Sequence, residues 1–145
     1  MRISLYRNDK SITVTSETHD AVAVVEPSFE PDDLRQYLVA IAHFGTDDQA
    51  QSNRIAKELG IEISNVLFAG DVGKQLRVAR HRLDAGEVLE VALTVPVNDD
   101  FLLAIPWELA YEPAETGFLA LSEDVHFTRS PLVHNPRSVP SVASR

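Results

Sequence analysis

The chain has 145 residues, 44% of them hydrophobic and 24% charged, which favours one ordered globular domain over a disordered chain. A net charge of -9 repels phosphate backbones, and no apolar run approaches the roughly 18 residues that a membrane span needs, so neither nucleic acid nor a membrane is an expected partner. The sequence has no cysteine, which excludes disulfides, thiolate metal sites and a cysteine nucleophile.

The first part of the chain has the pattern of short strands. Apolar and polar residues alternate there with the period of half-buried strands. Asn8, Asp9 and Lys10 separate the first two strands and suit a hairpin turn. Ala21 to Val25 is expected to be a third strand. The alternating apolar residues of the first two strands are Ile3, Leu5, Ile12 and Val14.

A helix is predicted to begin at Pro31, because proline suits the first helical position. Asp32 and Asp33 follow, where carboxylates favour the positive end of the helix dipole. Gly45 is expected to end this helix. The residues at helical spacing are Leu34, Leu38 and Ile41.

A second helix is predicted to open with a capping box from Thr46 to Gln49. It is expected to bury Ile55 and Leu59 and to end at Gly60. Residues 64–69 are expected to form one further helical turn.

Asp71 is the expected N-cap of a third helix, and Gly86 is its expected left-handed stop. Lys74 after Gly73 superficially suggests a phosphate loop, but the glycine spacing and the following residue do not match one. The apolar stripe of this helix comprises Val72, Leu76, Ala79 and Leu83. Its basic residues, interpreted as a solvated face, are Arg77, Arg80 and Arg82.

The remaining segments return to strands. Alternating Leu89 to Val95 predicts one buried face, and the apolar run Phe101 to Ile105 predicts a short strand buried on both sides. Two more strands are expected at Phe118 to Leu121 and Val125 to Thr128. Strands come first, three to four helices follow, and further strands come last. This order predicts an α/β fold, or an α+β fold if the chain is a fragment. We expect a domain at 1–133 and a disordered Pro/Ser-rich tail at 134–145.

The segment Pro106-Trp107-Glu108-Leu109 resembles the Pro-Trp-Glu-Leu hallmark of CHAT domains, which are similar to caspase-like cysteine peptidases. Its continuation also resembles that family, with Gly117-Phe118-Leu119 after an acidic turn and Arg129 in the last strand. The resemblance extends over about residues 55–130. It implies the N-terminal half of an incomplete caspase-like CHAT domain.

The resemblance places the family's catalytic His and Cys in the C-terminal half, and neither motif occurs in this chain. No catalytic residue is therefore predicted, and the chain is not expected to be an enzyme. No cofactor is expected. No metal site is expected either, because the histidines lack the spacing of metal ligands. The five histidines are His19, His43, His81, His126 and His134.

Within the hallmark, Trp107 is expected to be a core anchor whose indole N–H finds a partner, in preference to the wall of a peptide cleft. A buried Glu108 needs a partner, and Arg129 is the candidate for a structural ion pair. A general acid or base role for Glu108 is disfavoured, because no second titratable group lies at a useful spacing.

These observations lead to two hypotheses about function. In the first, the chain is a non-catalytic CHAT portion that supports a catalytic half absent from it. In the second, it is a stand-alone, catalytically inactive CHAT-like module that binds proteins in bacterial signalling or defence, for example by adding a peptide to an open sheet edge. A small enzyme using carboxylates or serine is a third alternative. The expected compartment is the cytoplasm, because no signal peptide pattern opens the sequence.

Overall fold

The computed structural model describes residues 1–16, 21–113 and 117–132. In these ranges lie a five-stranded sheet, a two-stranded ribbon and four α-helices, so the predicted α/β class is confirmed. Two 3₁₀ turns, at Trp107–Leu109 and Leu119–Leu121, complete the structure. In chain order the elements are β1 (Arg2–Asn8), β2 (Ser11–Ser16), β3 (Ala21–Val25), α1 (Pro31–Asp47), α2 (Gln49–Leu67), α3 (Gly70–His81), β4 (Leu89–Pro96), α4 (Asp100–Ala104), β5 (Tyr111–Glu112), β6 (Gly117–Phe118) and β7 (Val125–Leu132).

The main sheet has the strand order β3-β2-β1-β4-β7. β1, β2 and β3 are antiparallel neighbours, and the predicted hairpin is present, with Asn8 paired to Ser11 and Asp9 at a φ of 58°. β4 lies parallel to both β1 and β7. The helices serve as the crossovers that parallel strands require. β5 and β6 form the separate antiparallel ribbon.

The hydrophobic core lies between one face of the sheet and α2, α3 and α4. Alternate residues of β1, β2 and β4 are buried on that face, as the period of two predicts. The opposite face is open on β1 and β3, where Tyr6, Val22 and Val24 are 62%, 53% and 67% exposed. The largest fully buried side chains are Trp107, Ile3, Ile12, Leu59, Ile63, Leu67, Leu93, Leu102, Ile105 and Leu119.

The predicted boundary between the first two helices is wrong. α1 passes through Gly45 and ends at Asp47, and α2 begins at Gln49. The N-cap is Asp48 instead of Thr46, because the Asp48 carboxylate accepts a hydrogen bond of 3.0 Å from the Gln51 N–H.

α2 also continues through Gly60, so the predicted end there is wrong and residues 64–67 belong to the same helix. The position requires glycine because it admits no side chain. A Cβ atom would overlap the Leu109 carbonyl oxygen and lie 2.9 Å from Tyr111 Cβ. The glycine therefore allows α2 to approach the segment that follows α4 closely, and it does not form a turn.

The ends of α3 differ from the prediction as well. Ala69 occupies the N-cap position, and Asp71 lies in the first turn, where its carboxylate is 3.7 Å from Lys74 Nζ. The helix ends at His81, so Leu83 lies outside it. Gly86 does have a positive φ of 86°, but it belongs to a separate turn.

The run Phe101 to Ile105 is not a strand. Asp99 caps α4 there, with its carboxylate accepting from the Leu102 N–H at 3.0 Å. A continuous run of five apolar residues has no periodicity that distinguishes a strand from a helix. The N-cap at Asp99 favours the helix. Of the predicted strand at 118–121, only Phe118 pairs, and Leu119 begins a 3₁₀ turn. The predicted tail at 134–145 lies outside the described residues.

Candidate functional site

Trp107 anchors the hallmark segment in the core. Its side chain is fully buried, and its indole Nε1 donates a hydrogen bond of 2.9 Å to the Leu102 carbonyl oxygen of α4. The predicted core role with a partnered indole is therefore confirmed, and no tryptophan surface is left to form a cleft wall. Pro106 precedes the 3₁₀ turn, and Leu109 is half-buried within it.

Glu108 and Arg129 form the ion pair that the sequence predicts. Arg129 Nε donates to Glu108 Oε2 at 2.9 Å, and Nη2 donates to Oε1 at 2.7 Å. The pair is bidentate and partly exposed, with side-chain exposures of 47% for Glu108 and 23% for Arg129. Both oxygens of Glu108 are occupied by the guanidinium, which favours a structural role over proton transfer.

Arg129 has two further acceptors in the same segment. Its Nη1 donates to the Leu103 carbonyl at 3.1 Å, and its Nη2 donates to the Ile105 carbonyl at 2.7 Å. Carbonyl groups at the end of a helix have no partner within that helix. A single guanidinium on β7 therefore satisfies the end of α4 and the hallmark carboxylate together, and it fixes both to the sheet.

The Gly117-Phe118-Leu119 continuation packs directly against the hallmark. The Leu119 N–H donates to the Ala110 carbonyl at 2.8 Å, and the Phe118 ring contacts Tyr111 edge-on at 5.1 Å. Leu119 is 1% exposed. The structure thus brings all the predicted hallmark residues into one unit, closed on its inner side by α2 at Gly60.

A second ionic cluster was missed by the sequence analysis. Arg80 is only 13% exposed, contrary to its interpretation as part of a solvated face. It contacts Glu112 Oε1 at 2.6 Å and binds both oxygens of Asp124, at 2.8 and 3.0 Å. Burial lowers the pKa of Arg80, but the hydrogen bonds to Asp124 and Glu112 outweigh it and raise the pKa. The bonds from Arg80 hold the pKa of Asp124 below its ordinary value of 3.8.

This cluster borders an open groove of about 390 Å³ between α3 and β5. Aromatic side chains of Phe68 and Tyr111 line it, together with His81. Two carboxylates already occupy the guanidinium of Arg80, so this side chain is not available to an anionic ligand. The cluster joins α3 to β5 and to the residue that precedes β7.

The outer edge of β7 carries backbone groups that no described strand pairs. The Leu89 N–H donates to the Asp124 carbonyl at 2.8 Å, and a parallel ladder uses alternate residues of each strand. The even-numbered residues of β7 therefore face β4. The N–H and C=O groups of Phe127 and Arg129 point away from the sheet, and Pro131, next in that series, has no N–H to offer.

Other chemical candidates are weak in the part of the chain that the structure describes. No group of three His, Cys, Asp or Glu residues there is arranged to hold a metal ion. The segment around Gly73 forms the first turns of α3 and not a phosphate loop. His126 lies 3.6 Å from Glu90 on the exposed face of the sheet. None of the described helices is long and apolar enough to cross a membrane.

Fold and site together define a mixed α/β protein in which a Pro-Trp-Glu-Leu turn is bound to an edge strand by one arginine. Comparison of the chain with known proteins found no matching family model, no matching curated protein and no matching solved structure.

Proposed function

We propose that this chain is a non-catalytic, CHAT-like scaffold that supports a catalytic half absent from it. The observation that carries the proposal is the fourfold hydrogen bonding of Arg129 to Glu108, Leu103 and Ile105. This arrangement stiffens β7 at its free edge. A further strand that joins the sheet there meets a rigid and oriented template.

The composition of the chain and the contacts of the hallmark residues support a scaffolding role. A thiol peptidase needs a thiolate nucleophile, and the sequence has no cysteine to provide one. The hallmark side chains are already engaged in packing and ion pairing, because Trp107 is buried and Glu108 is bound by Arg129. What remains available is backbone on the edge of β7, which is suited to binding another strand.

Strand addition at this edge has a defined geometry. The donors and acceptors of Phe127 and Arg129 are spaced two residues apart, as a parallel or antiparallel partner strand requires. The side chains of both residues are half-buried and point toward the helical side of the sheet. A partner strand therefore extends the core layer as well as the ladder.

The test is co-expression of the chain with a CHAT catalytic half that carries the family's His and Cys, followed by size-exclusion chromatography. We expect a stable complex. Amide hydrogen exchange by NMR is expected to show slow exchange at Phe127 and Arg129 only in the complex, and slow exchange at Thr128 and Ser130 with or without it. Absence of a complex, or protection confined to other elements, contradicts the proposal.

A stand-alone protein-binding module in bacterial signalling or defence is the second candidate. The observation that favours it is the closed core, in which helices and strands from Ile3 to Val125 share one buried cluster. A unit of this kind folds without a second half. This candidate is favoured over the first if the chain is a monodisperse monomer that melts cooperatively and does not bind the catalytic half.

A further inference from the structure

A groove of about 470 Å³ lies along α3, on the side away from the Arg80 cluster. Its apolar lining comes from Met1, Val78, Ala79 and Leu89. Val78 is 47% exposed, which leaves its side chain open to a ligand. The groove is therefore an apolar depression on the surface, formed between a helix and the beginning of the strand that follows it.

Two cationic side chains line this groove, and the N-terminal ammonium of Met1, also a lining residue, donates to the Glu90 carbonyl at 2.8 Å. Lys74 and Val78 lie one turn apart on α3, and Arg82, the C-cap residue that follows the helix with αR backbone angles, continues the same spacing. This spacing places the α-carbons of Lys74 and Arg82 about 12 Å apart. Lys74 has Asp71 nearby at 3.7 Å, but both side chains are about 70% exposed, so this pair holds Lys74 only weakly.

Both charged side chains that line this groove are cationic, although the net charge of the chain is -9. An apolar floor with a positive charge at each end is complementary to a ligand that has an apolar centre and a negative charge at each end. A fatty acid matches one end only, because it carries one carboxylate. An extended peptide advances about 3.3 Å per residue, so carboxylates four residues apart match a separation of about 12 Å.

We propose that this groove binds an acidic peptide segment of a partner protein, in extended conformation, with an apolar residue midway between two Asp or Glu residues. The apolar side chain lies against Val78 and Leu89. The two carboxylates contact Lys74 and Arg82. This proposal is independent of the role of β7, because it uses a different surface and a different set of groups.

The experiment uses the full chain and a fluorescent peptide containing Glu-Ser-Leu-Ser-Glu, titrated by fluorescence anisotropy. We expect saturable binding that weakens as salt is raised, since exposed charge pairs are screened. Replacing both glutamates of the peptide by glutamine, or its leucine by serine, is expected to weaken binding at least about fivefold. Equal binding of all three peptides overturns the proposal, as does binding of dodecanoic acid without binding of the acidic peptide.

Matched variants of the chain locate the site. Lys74→Glu and Arg82→Glu are each expected to weaken binding about fivefold to tenfold, because a repulsion replaces an attraction. Arg77→Glu makes the same charge change on the same helix but on the side that lines the other groove, and it is expected to leave affinity within about twofold. Thermal melts confirm that the variants are folded. An equal loss for Arg77→Glu and Arg82→Glu overturns the proposed site.

Discussion

Arg80 and Asp124 join α3 to the beginning of β7 by two hydrogen bonds, Nε to Oδ2 at 3.0 Å and Nη2 to Oδ1 at 2.8 Å. The same guanidinium reaches Glu112 Oε1 at 2.6 Å, so one side chain connects three segments that are distant in sequence. The carboxylate of Glu112 is only 16% exposed. The cluster therefore depends on the arginine, because removing it leaves a largely buried negative charge without its partner.

Arg80→Ala is expected to lower the free energy of unfolding by about 2 to 3 kcal/mol, somewhat less than for a fully buried pair because Asp124 is 41% exposed. Urea denaturation followed by tryptophan fluorescence measures the change. Arg77→Ala, on the same helix but exposed, serves as the control and is expected to change stability by less than about 0.5 kcal/mol. Similar effects for the two variants would show that the Arg80 cluster does not stabilise the fold.

The Asp124 carboxylate predicts how stability depends on pH. Its pKa in the folded protein is held below 3.8 by the hydrogen bonds from Arg80, so the folded state binds its proton less readily than the unfolded chain. The stabilisation is therefore complete well above pH 3.8 and is lost as the pH falls through the folded-state pKa. Urea denaturation between pH 6 and pH 2, in the chain and in Asp124→Asn, is expected to show a smaller acid-induced loss in the variant. Parallel curves would refute this assignment.

Arg129→Lys tests whether the fork of the guanidinium matters or only its charge. A lysine cannot reach Glu108, Leu103 and Ile105 together, so we expect the free energy of unfolding to fall by about 1 to 3 kcal/mol. Glu108→Gln keeps one acceptor and is expected to cost about 1 kcal/mol. A double-mutant cycle between the two positions measures their coupling. A fully stable Arg129→Lys variant would contradict the stiffening role given to this residue.

Gly60→Ala is expected to destabilise the protein by about 1 to 3 kcal/mol although alanine favours helix, because the new methyl group meets the Leu109 carbonyl and Tyr111. Gly86→Ala is the matched control. Its added methyl group meets no neighbour within 4 Å, but φ is 86°, so only backbone strain of about 1 kcal/mol is expected. Thermal unfolding compares the two, and a Gly60→Ala variant as stable as the native chain would disprove the close approach.

The sequence predicted the structural features that depend on local periodicity and on the hallmark motif. The alternation of Ile3, Leu5, Ile12 and Val14 placed two strands with the correct buried face, because one side of a strand must meet the core. The pairing of Glu108 with Arg129 was also predicted, but the premise that Glu108 is buried was wrong, because its side chain is 47% exposed.

Features that depend on distant contacts were not predicted. Gly60 resembles a helix end, yet it lies within α2, and glycine is required there by a close approach to Leu109, 49 residues later. Arg80 has the sequence surroundings of a solvated helix residue, and its partners are 32 and 44 residues away. No local pattern distinguishes a glycine required by a close approach from one required by a turn, or a paired arginine from a free one.

The proline in the edge strand carries a consequence for self-association. Uninterrupted edges act as templates on which copies of a chain stack into aggregates. Within the described part of β7, the outward-facing amides end at Arg129, since Pro131 lacks a hydrogen to donate, and this stretch is only a few residues long. An edge this short disfavours the stacking of further copies of the chain into fibres.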